Sequence, residues 1–196
     1  MIRTYFNQSA AKWDEINSER NMTKLERVAK RLDIKPGSTV LDVGTGTGVF
    51  IPFLLNEVGK SGRIIALDFA EEMLKQTRAK GFNGNIGYLH ADVTSIPLRD
   101  GIFDIIVCYS SFPHFQDKPR ALNEMNRVIK SSGRLLICHT LSRTMINQTH
   151  CQITVVENDI LPDKGEMQTI LFRAGFTGIK IEDSSESYLA CAVKLK

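Results

Sequence analysis

The sequence predicts an α/β fold with a doubly wound, mostly parallel sheet and helices on both faces. Short β-branched runs recur along the chain, and helical segments separate the first five of them. Most of these runs are almost wholly apolar, as strands covered on both faces must be. Strands alternating with helices through short connections favour a parallel sheet with right-handed crossovers. The predicted strands are 39–43, 63–68, 86–91, 103–109, 134–139, 178–183 and 188–195.

Helical spacing appears between the predicted strands. In residues 22–32 the apolar side chains fall on one stripe, and a second stripe runs through 120–129. We expect Lys35-Pro36-Gly37 to follow the end of the first helix. We expect Gly133 to terminate the second, because glycine commonly ends helices.

The end of the chain departs from this alternation. Two predicted strands flank residues 184–187 with no helix between them, which predicts an antiparallel hairpin at the sheet edge. Residues 140–163 show no regular pattern. At about 20 residues this segment is longer than an ordinary loop, so we expect it to have a function.

Composition narrows the class of protein. The chain has 196 residues, 42% of them hydrophobic, which is enough for one domain over residues 1–196. The formal net charge of +3 is too small for the basic stripe of a typical nucleic-acid-binding protein, so no such partner is expected. No apolar run, such as that at 105–109, approaches the ~18 residues of a membrane-spanning helix.

Two features predict a cytoplasmic protein. The N-terminus, MIRTYFNQSAAKWDE, has neither the apolar core nor the cleavage site of a signal peptide. The four cysteines, at 108, 138, 151 and 191, form no CxxC pair. We therefore expect reduced thiols and no disulfide framework.

The glycine-rich segment VLDVGTGTG, residues 40–48, is the most informative one. A strand ends at Val43 and a helix begins just beyond, with Pro52 in its first turn. Glycines there let the backbone turn sharply and approach a ligand closely. The spacing is GxGxG, whereas the dinucleotide-binding fingerprint is GxGxxG. Taken alone, the glycines are also compatible with a merely tight strand–helix turn.

Two aspartates strengthen the interpretation as a ligand site. Asp68 closes the second strand, and its two oxygens can accept both hydroxyls of a ribose. Asp92 follows the third strand and can accept from an exocyclic amine. Each could instead be a helix cap or a solvated turn residue. Both, however, fall at the sheet edge where open parallel sheets bind ligands.

Together these segments resemble the class I S-adenosylmethionine-dependent methyltransferases, specifically the small type 11 branch. The resemblance is close over residues 22–140. It implies a Rossmann-like seven-stranded sheet of order 3-2-1-4-5-7-6 with strand 7 antiparallel, which agrees with the hairpin inferred above. The matching segments are VLDVGTGTG (40–48), IIALDFAEEML (64–74), HADVTSIPLRDGIFDIIVCYSSFPHF (90–115) and ALNEMNRVIKSSGRLLI (121–137).

The resemblance also implies the contacts of the cofactor, S-adenosylmethionine. The aminocarboxypropyl group is expected to contact Asp42 and the turn with Gly44, Thr45, Gly46 and Gly48, and the methionine ammonium is expected to face the backbone near Tyr109 and Ser110. The ribose hydroxyls are expected to bind Asp68. The adenine is expected to contact Phe69, Met73, Asp92 and the Val93 backbone.

Methyl transfer from a sulfonium is an in-line displacement that needs no metal. The main contribution of the protein is to align the nucleophile and the methyl group at ~3 Å in a water-poor site. A protonated acceptor needs a base as well. The candidate catalytic residues are Tyr109, His114, His139 and His150.

The segment after the fourth strand limits the acceptor. Residues 109–115 lack the Asn-Pro-Pro-Tyr-like tetrapeptide of amino-group methyltransferases of this class, which argues against adenine or glutamine amide methylation. His114 could be a base or could pack beside Pro113.

Further candidates lie in the segment 140–163 and directly before it. His139, His150 and Cys151 could bind a soft metal or present a thiol or metalloid acceptor, but their spacing is irregular. They could equally be surface or supporting residues, so no metal is assigned. Arg143 could pair with an acidic acceptor or be solvated.

The N-terminal residues 1–21 resemble the lid of type 11 enzymes. The aromatic residues Tyr5, Phe6 and Trp13 suit a sulfonium cation through their ring faces. They could also dock a helix on the core, and a docked helix can itself be a lid.

The predicted function is methyl transfer from S-adenosylmethionine to a small-molecule acceptor. Only residues 1–21 and 140–163 remain to recognise an acceptor, which favours a small molecule in a cleft. The alternatives are a catalytically silent cofactor-binding module, an NAD-dependent dehydrogenase and, opposed by the weak charge, an RNA methyltransferase. We expect a monomer or homodimer.

Overall fold

The computed structural model describes residues 2–16 and 21–195. Residues 1 and 17–20, which belong to the predicted lid segment 1–21, lie outside the described residues, as does residue 196. The centre is one seven-stranded sheet of order β3-β2-β1-β4-β5-β7-β6. The strands are β1 Thr39–Val43, β2 Arg63–Asp68, β3 Ile86–His90, β4 Phe103–Tyr109, β5 Ile129–His139, β6 Phe176–Asp183 and β7 Tyr188–Lys194.

This topology confirms the predicted fold class and strand order. Strands β1 to β5 pair in parallel, whereas β7 runs antiparallel between β5 and β6. The carboxyl ends of the parallel strands therefore meet at one edge of the sheet, on both sides of the switch between β1 and β4.

Helices cover both faces of the sheet. Short 3₁₀ turns at Ala10–Lys12 and Phe112–His114 supplement them. None of the helices in the described ranges is long and apolar enough to cross a membrane. The helices are α1 Ile2–Ser9, α2 Trp13–Ile16, α3 Met22–Arg31, α4 Ile51–Val58, α5 Glu71–Ala79, α6 Lys118–Val128, α7 Arg143–Cys151 and α8 Lys164–Arg173.

The two apolar faces of β4 show why these strands are nearly all apolar. Ile106 and Cys108 lie in the core beneath α6 and α8, whereas Ile105 and Val107 lie in the core beneath α3 and α4. Successive side chains of a strand point to opposite faces, so a strand covered twice needs apolar residues at every position.

Several helices begin where the local sequence supplies a cap. Asn21, Asp117, Ser142 and Asp163 accept a hydrogen bond from the backbone amide three residues on, at the starts of α3, α6, α7 and α8.

Strand β5 begins earlier than predicted. Gly133 was expected to terminate a helix but lies inside β5, because α6 already ends at Val128 and the strand starts at Ile129. A Cβ at Gly133 would lie 2.7 Å from Ile129 Cγ1 and 3.0 Å from Asp104 O, so glycine permits a close approach of two strands there.

The sequence shows no regular pattern in the segment 140–163, but the structure is not irregular throughout it. It contains helix α7, Arg143–Cys151, whose apolar side is short and buries only Ile146. So narrow a buried side gives little helical periodicity, which explains why the pattern was missed. Smaller differences affect strand ends: β3 stops at His90, and β6 starts at Phe176.

Candidate active site

A cavity of about 860 Å³ opens at the carboxyl ends of the parallel strands. Residues that follow β1, β2 and β3 line one half of it, and residues that follow β4 and β5, with α7, line the other half. We call these the turn half and the histidine half. The N-terminal helices contribute Tyr5, Phe6 and Trp13 to the wall.

The glycine turn after β1 is held by its own backbone. Gly44 and Gly46 have φ of 69° and 57°, and a Cβ on Gly44 would lie 2.5 Å from Ser111 Cβ. The amides of Gly44 and Thr45 donate to Leu67 O, and the amide of Gly48 donates to Thr45 O. These amides are therefore already engaged and do not form the open anion cradle that a dinucleotide diphosphate needs.

Asp42 lies behind this turn and not in the cavity wall. Its carboxylate is buried and accepts a hydrogen bond of 2.7 Å from Thr45 Oγ1. Burial raises the pKa of Asp42 to about 7, against the opposing effect of the Thr45 hydroxyl. Gly48 also lies outside the wall, packed against Thr77. The structure thus places both residues where they support the turn.

Asp68 faces the cavity at the end of β2. It is 4% exposed and accepts hydrogen bonds of 2.8 Å from the amides of Gly46 and Ala70, one on each carboxylate oxygen. Burial raises the pKa of Asp68 to about 6, although these amides oppose the shift. Each oxygen keeps a second lone pair, so the carboxylate can still accept from a ligand hydroxyl.

The other predicted adenine contacts lie together in the turn half. Phe69, Met73, Asp92 and Val93 all line the cavity. Asp92 Oδ1 accepts from the amide and hydroxyl of Thr94, which orients the carboxylate. These residues form an apolar slot with an acceptor at its edge, which suits a purine.

The N-terminal helices close the turn half from outside. The Phe6 ring packs edge-on against Phe69 at 5.9 Å and against His114 at 5.3 Å. Asn7 Oδ1 accepts from the amide of Glu72 at the start of α5. The docked-helix and lid interpretations are compatible, because the docked residues also form the cavity wall.

Polar contacts hold the N-terminal helices, residues 2–16, over the turn half, and we call these residues the N-terminal cover. Thr47 Oγ1 donates to Asp14 Oδ1 at 2.5 Å, and Lys80 Nζ pairs with Asp14 Oδ2 at 2.6 Å. Arg3 lies 3.8 Å from Asp92 and 5.5 Å from the centre of the Phe69 ring. Asp14 and Arg3 therefore connect the cover to the turn and to the slot that includes Phe69 and Asp92.

The exit from β4 separates the two halves. Tyr109 stacks on Phe50 at 4.5 Å, and Ser110 has a φ of 51°, which is strained for a residue other than glycine. Ser111 Oγ donates to Val43 O at 2.6 Å and so joins the β4 exit to the glycine turn. Tyr109 and Ser110 both line the cavity.

The histidine half brings together three predicted site residues. His114, His139 and His150 all line the cavity, and the rings of His114 and His150 are 4.8 Å apart. His114 Nδ1 lies 2.9 Å from Asp159 Oδ2, and His150 Nδ1 bonds to Asp159 O. Gln116 Nε2 donates to Asp159 Oδ1 at 3.1 Å.

Burial lowers the pKa of two of these histidines. Burial, together with the charges of His114 and His150, lowers the pKa of His139 to about 3, so it stays neutral at physiological pH. Burial also lowers the pKa of His150. The Nε2 of His139 is buried without a hydrogen-bond partner among the described residues.

Cys151 does not join this cluster. It is exposed on the outer side of α7, away from the main cavity, and all four cysteines are free thiols. Within 2–16 and 21–195, no group of three His, Cys, Asp or Glu side chains has the arrangement to hold a metal ion. Arg143 likewise lies outside the main cavity.

Asp159 and Gln116 are site residues that sequence reasoning missed. Asp159 lies 45 residues from its partner His114, in a segment without periodicity, so no local signal could reveal the pair. A buried carboxylate beside a cavity histidine becomes visible only in three dimensions.

The fold and this cavity together define a class I S-adenosylmethionine-dependent methyltransferase. A family model described as a methyltransferase domain, type 11, matches residues 41–137. A ubiquinone/menaquinone biosynthesis C-methyltransferase, UbiE, of Klebsiella pneumoniae is 33% identical over 176 residues, covering 85% of this chain and 69% of the relative. The chain belongs to the type 11 methyltransferase-domain family.

Solved structures agree with this assignment. An S-adenosylmethionine-dependent methyltransferase from Aquifex aeolicus superposes with a TM-score of 0.75 at 26% identity, covering 93% of this chain and 98% of that chain. A chain from the complex between the Haloferax volcanii Trm112 methyltransferase activator and a methyltransferase superposes with a TM-score of 0.82 at 19% identity, covering 97% of this chain and 98% of that chain. At this identity the likeness shows the fold alone. The cofactor is S-adenosylmethionine, and the dehydrogenase alternative is wrong.

Proposed function

We propose that this protein methylates a small molecule bound in the histidine half of the cavity. The observation that carries the proposal is the continuity of the cavity, which joins the Asp68 edge of the turn half to His114, His139 and His150. One continuous space can thus hold a methyl donor and an acceptor side by side.

The residues present in the turn half fit S-adenosylmethionine. Asp68 would accept from the ribose hydroxyls, and Phe69 and Met73 would pack against the adenine, with Asp92 and the Val93 backbone at its polar edge. The engaged amides of the turn fit a cofactor without a diphosphate. When bound, the cofactor supplies an electrophilic methyl group on a positively charged sulfur.

The glycine turn and the β4 exit would hold the amino-acid part of the cofactor. Gly44, Thr45 and Gly46 present backbone to the cavity, and Tyr109 and Ser110 line the opposite wall. Asp42 and Gly48 would act from behind by keeping the turn in shape. The N-terminal cover would exclude water from the reacting atoms.

The walls of the histidine half support a small acceptor. Its apolar wall consists of Phe115, Ile146, Ile153 and Val156, and α7 with the residues after it closes one side. The UbiE relatives are named C-methyltransferases of ubiquinone and menaquinone biosynthesis, so hydroxylated aromatic rings are the first acceptors to test.

The test separates cofactor binding from methyl transfer. Asp68→Ala should weaken S-adenosylmethionine binding about 10- to 100-fold by calorimetry, the effect of losing one or more hydrogen bonds to a charged group. His150→Gln should lower turnover in a labelled-methyl acceptor screen more than it lowers cofactor affinity. Asp100→Ala, at an exposed carboxylate remote from the cavity, is the matched control.

Three outcomes contradict the proposal or parts of it. Unchanged affinity in Asp68→Ala would remove Asp68 from the cofactor site. Cofactor binding by the wild type without transfer to any acceptor would identify a catalytically silent module. Equal losses of turnover and cofactor affinity in His150→Gln would remove His150 from the acceptor side.

We further infer a cytoplasmic monomer or homodimer. The free thiols of Cys108, Cys138, Cys151 and Cys191 support a reducing compartment. Size-exclusion chromatography with light scattering measures the oligomeric state directly.

A further inference from the structure

The pairing of His114 with Asp159 distinguishes His114 from the other cavity histidines. Asp159 is 7% exposed, and its two oxygens accept from His114 Nδ1 and Gln116 Nε2. Burial alone would raise the pKa of Asp159, but the hydrogen bonds from His114 and Gln116, with nearby positive charge that includes Lys118, outweigh it and lower the pKa. The carboxylate therefore stays ionised and can only accept hydrogen bonds.

An ionised carboxylate at Nδ1 determines the tautomer of the imidazole. Nδ1 must carry the hydrogen, because Asp159 has none to donate. Nε2 of neutral His114 then has a free lone pair, and His114 lines the cavity. This is the arrangement that a general base needs.

The other charged and titratable groups around His114 do not take this role. His139 and His150 have lowered pKa values and no side-chain carboxylate partner. Lys118 Nζ donates to Pro113 O and Phe115 O, and helix α1 brings the apolar ring of Phe6 against His114.

Resting on the proposed function, we infer that His114 is the general base and that Asp159 is its positioning residue. We further infer that the acceptor is a neutral molecule whose hydroxyl loses a proton to His114. The hydroxyl proton moves to His114 Nε2, and the electron pair it leaves on the acceptor forms the bond to the methyl carbon. The carbon–sulfur bond breaks with its electron pair retained by sulfur, which becomes neutral. His114 later releases the proton to water.

The presence of a base selects a hydroxyl among the possible nucleophiles. A neutral amine attacks through its lone pair without prior loss of a proton, and the few per cent of a thiol that is ionised near neutral pH is already a strong nucleophile. A hydroxyl is a weak nucleophile until its proton leaves, so it gains most from a base. Asp159 lies behind His114 and does not line the cavity, so its carboxylate is not placed to attract a cationic acceptor.

A purely structural role for the pair makes a different prediction. Asp159 could simply tie the segment after α7 to the turn at Phe112–His114. Loss of a structural tie would slow transfer to all acceptors alike. Loss of a base slows transfer only to acceptors that still carry their proton.

The experiment uses para-substituted phenols of graded acidity, from 4-methylphenol to 4-nitrophenol, with labelled S-adenosylmethionine. His114→Gln should lower kcat for 4-methylphenol by about 10²- to 10⁴-fold, the usual contribution of a general base. For 4-nitrophenol, which is mostly ionised at about pH 8, the loss should be less than about 10-fold. Asp159→Asn should show the same selectivity, and Asp100→Asn is the matched control.

A second measurement does not depend on turnover. Nitrogen NMR of cofactor-saturated protein should show His114 as the Nδ1–H tautomer in the wild type, and a changed tautomer population in Asp159→Asn. An Nε2–H tautomer in the wild type would overturn the inference. Equal losses for 4-methylphenol and 4-nitrophenol would overturn it in favour of the structural tie.

The proposed function and this inference fail in different ways. Transfer by the wild type to amines or thiols but to no phenol would overturn the inference and leave the methyltransferase function standing. Cofactor binding without any transfer would overturn both.

Discussion

The buried carboxyl of Asp42 should make the stability of this protein fall as the pH rises. Its pKa is raised from 3.8 to about 7 in the folded protein, chiefly by burial. The folded state therefore binds the proton more tightly than the unfolded state does. The stability that protonation provides is fully present below about pH 4 and is lost progressively as the pH rises to about 7.

The magnitude follows from the difference between the two pKa values. Between about pH 5 and pH 8, the shift to about 7 removes about 2.5 kcal/mol from the free energy of unfolding of the wild type. In Asp42→Asn this loss is absent, because the amide does not titrate. The amide oxygen can still accept from Thr45 Oγ1, so the support of the turn is kept.

Urea denaturation of both proteins at about pH 5 and pH 8 measures the effect. Asp42→Asn should gain about 2.5 kcal/mol relative to the wild type between these two values. Asp104→Asn is the control: burial would raise the pKa of Asp104, but hydrogen bonds from Lys130 and Thr39 outweigh it and lower the pKa. Asp104 is thus ionised throughout this range. An equal difference between Asp42→Asn and the wild type at both pH values would refute the reasoning.

Two further predictions concern the turn and its cover. Gly44→Ala should destabilise the protein by about 2–4 kcal/mol, because it combines a positive φ with a Cβ too close to Ser111. Gly81→Ala, with positive φ but open space, should cost only about 1 kcal/mol, and equal costs in urea denaturation would contradict the steric explanation. Asp14→Ala should speed cofactor dissociation several-fold in stopped-flow fluorescence, because it releases the cover from Thr47 and Lys80. Unchanged dissociation would show that the cover does not retain the cofactor; Glu15→Ala, at an exposed neighbour, is its control.

The glycine turn shows how far local pattern reaches. Its place after β1 and the left-handed φ of Gly44 and Gly46 follow from glycines at the end of an apolar strand. The role of Asp42 does not follow in the same way. The resemblance implies that it contacts the cofactor, whereas packing turns its carboxylate towards Thr45 and away from the cavity.

Gly133 shows why one residue type can mislead. A glycine after an apolar helical stripe indicates a helix end, and the same glycine also permits close strand packing. Which of the two applies depends on the neighbouring strand, here at Asp104 O, and that neighbour is distant in sequence.

The pattern of apolar runs and helical stripes was sufficient to predict the sheet and the position of Asp68 at its carboxyl edge, and the family resemblance supplied the strand order. These features depend on periodicity and on short-range turns, which adjacent residues encode. The Asp159–His114 pair, the contact of Ser111 with Val43 and the attachment of the N-terminal cover through Asp14 depend on chain segments far apart in sequence. Such pairings arise when the helices and loops pack on the sheet, and no local signal in the chain specifies them.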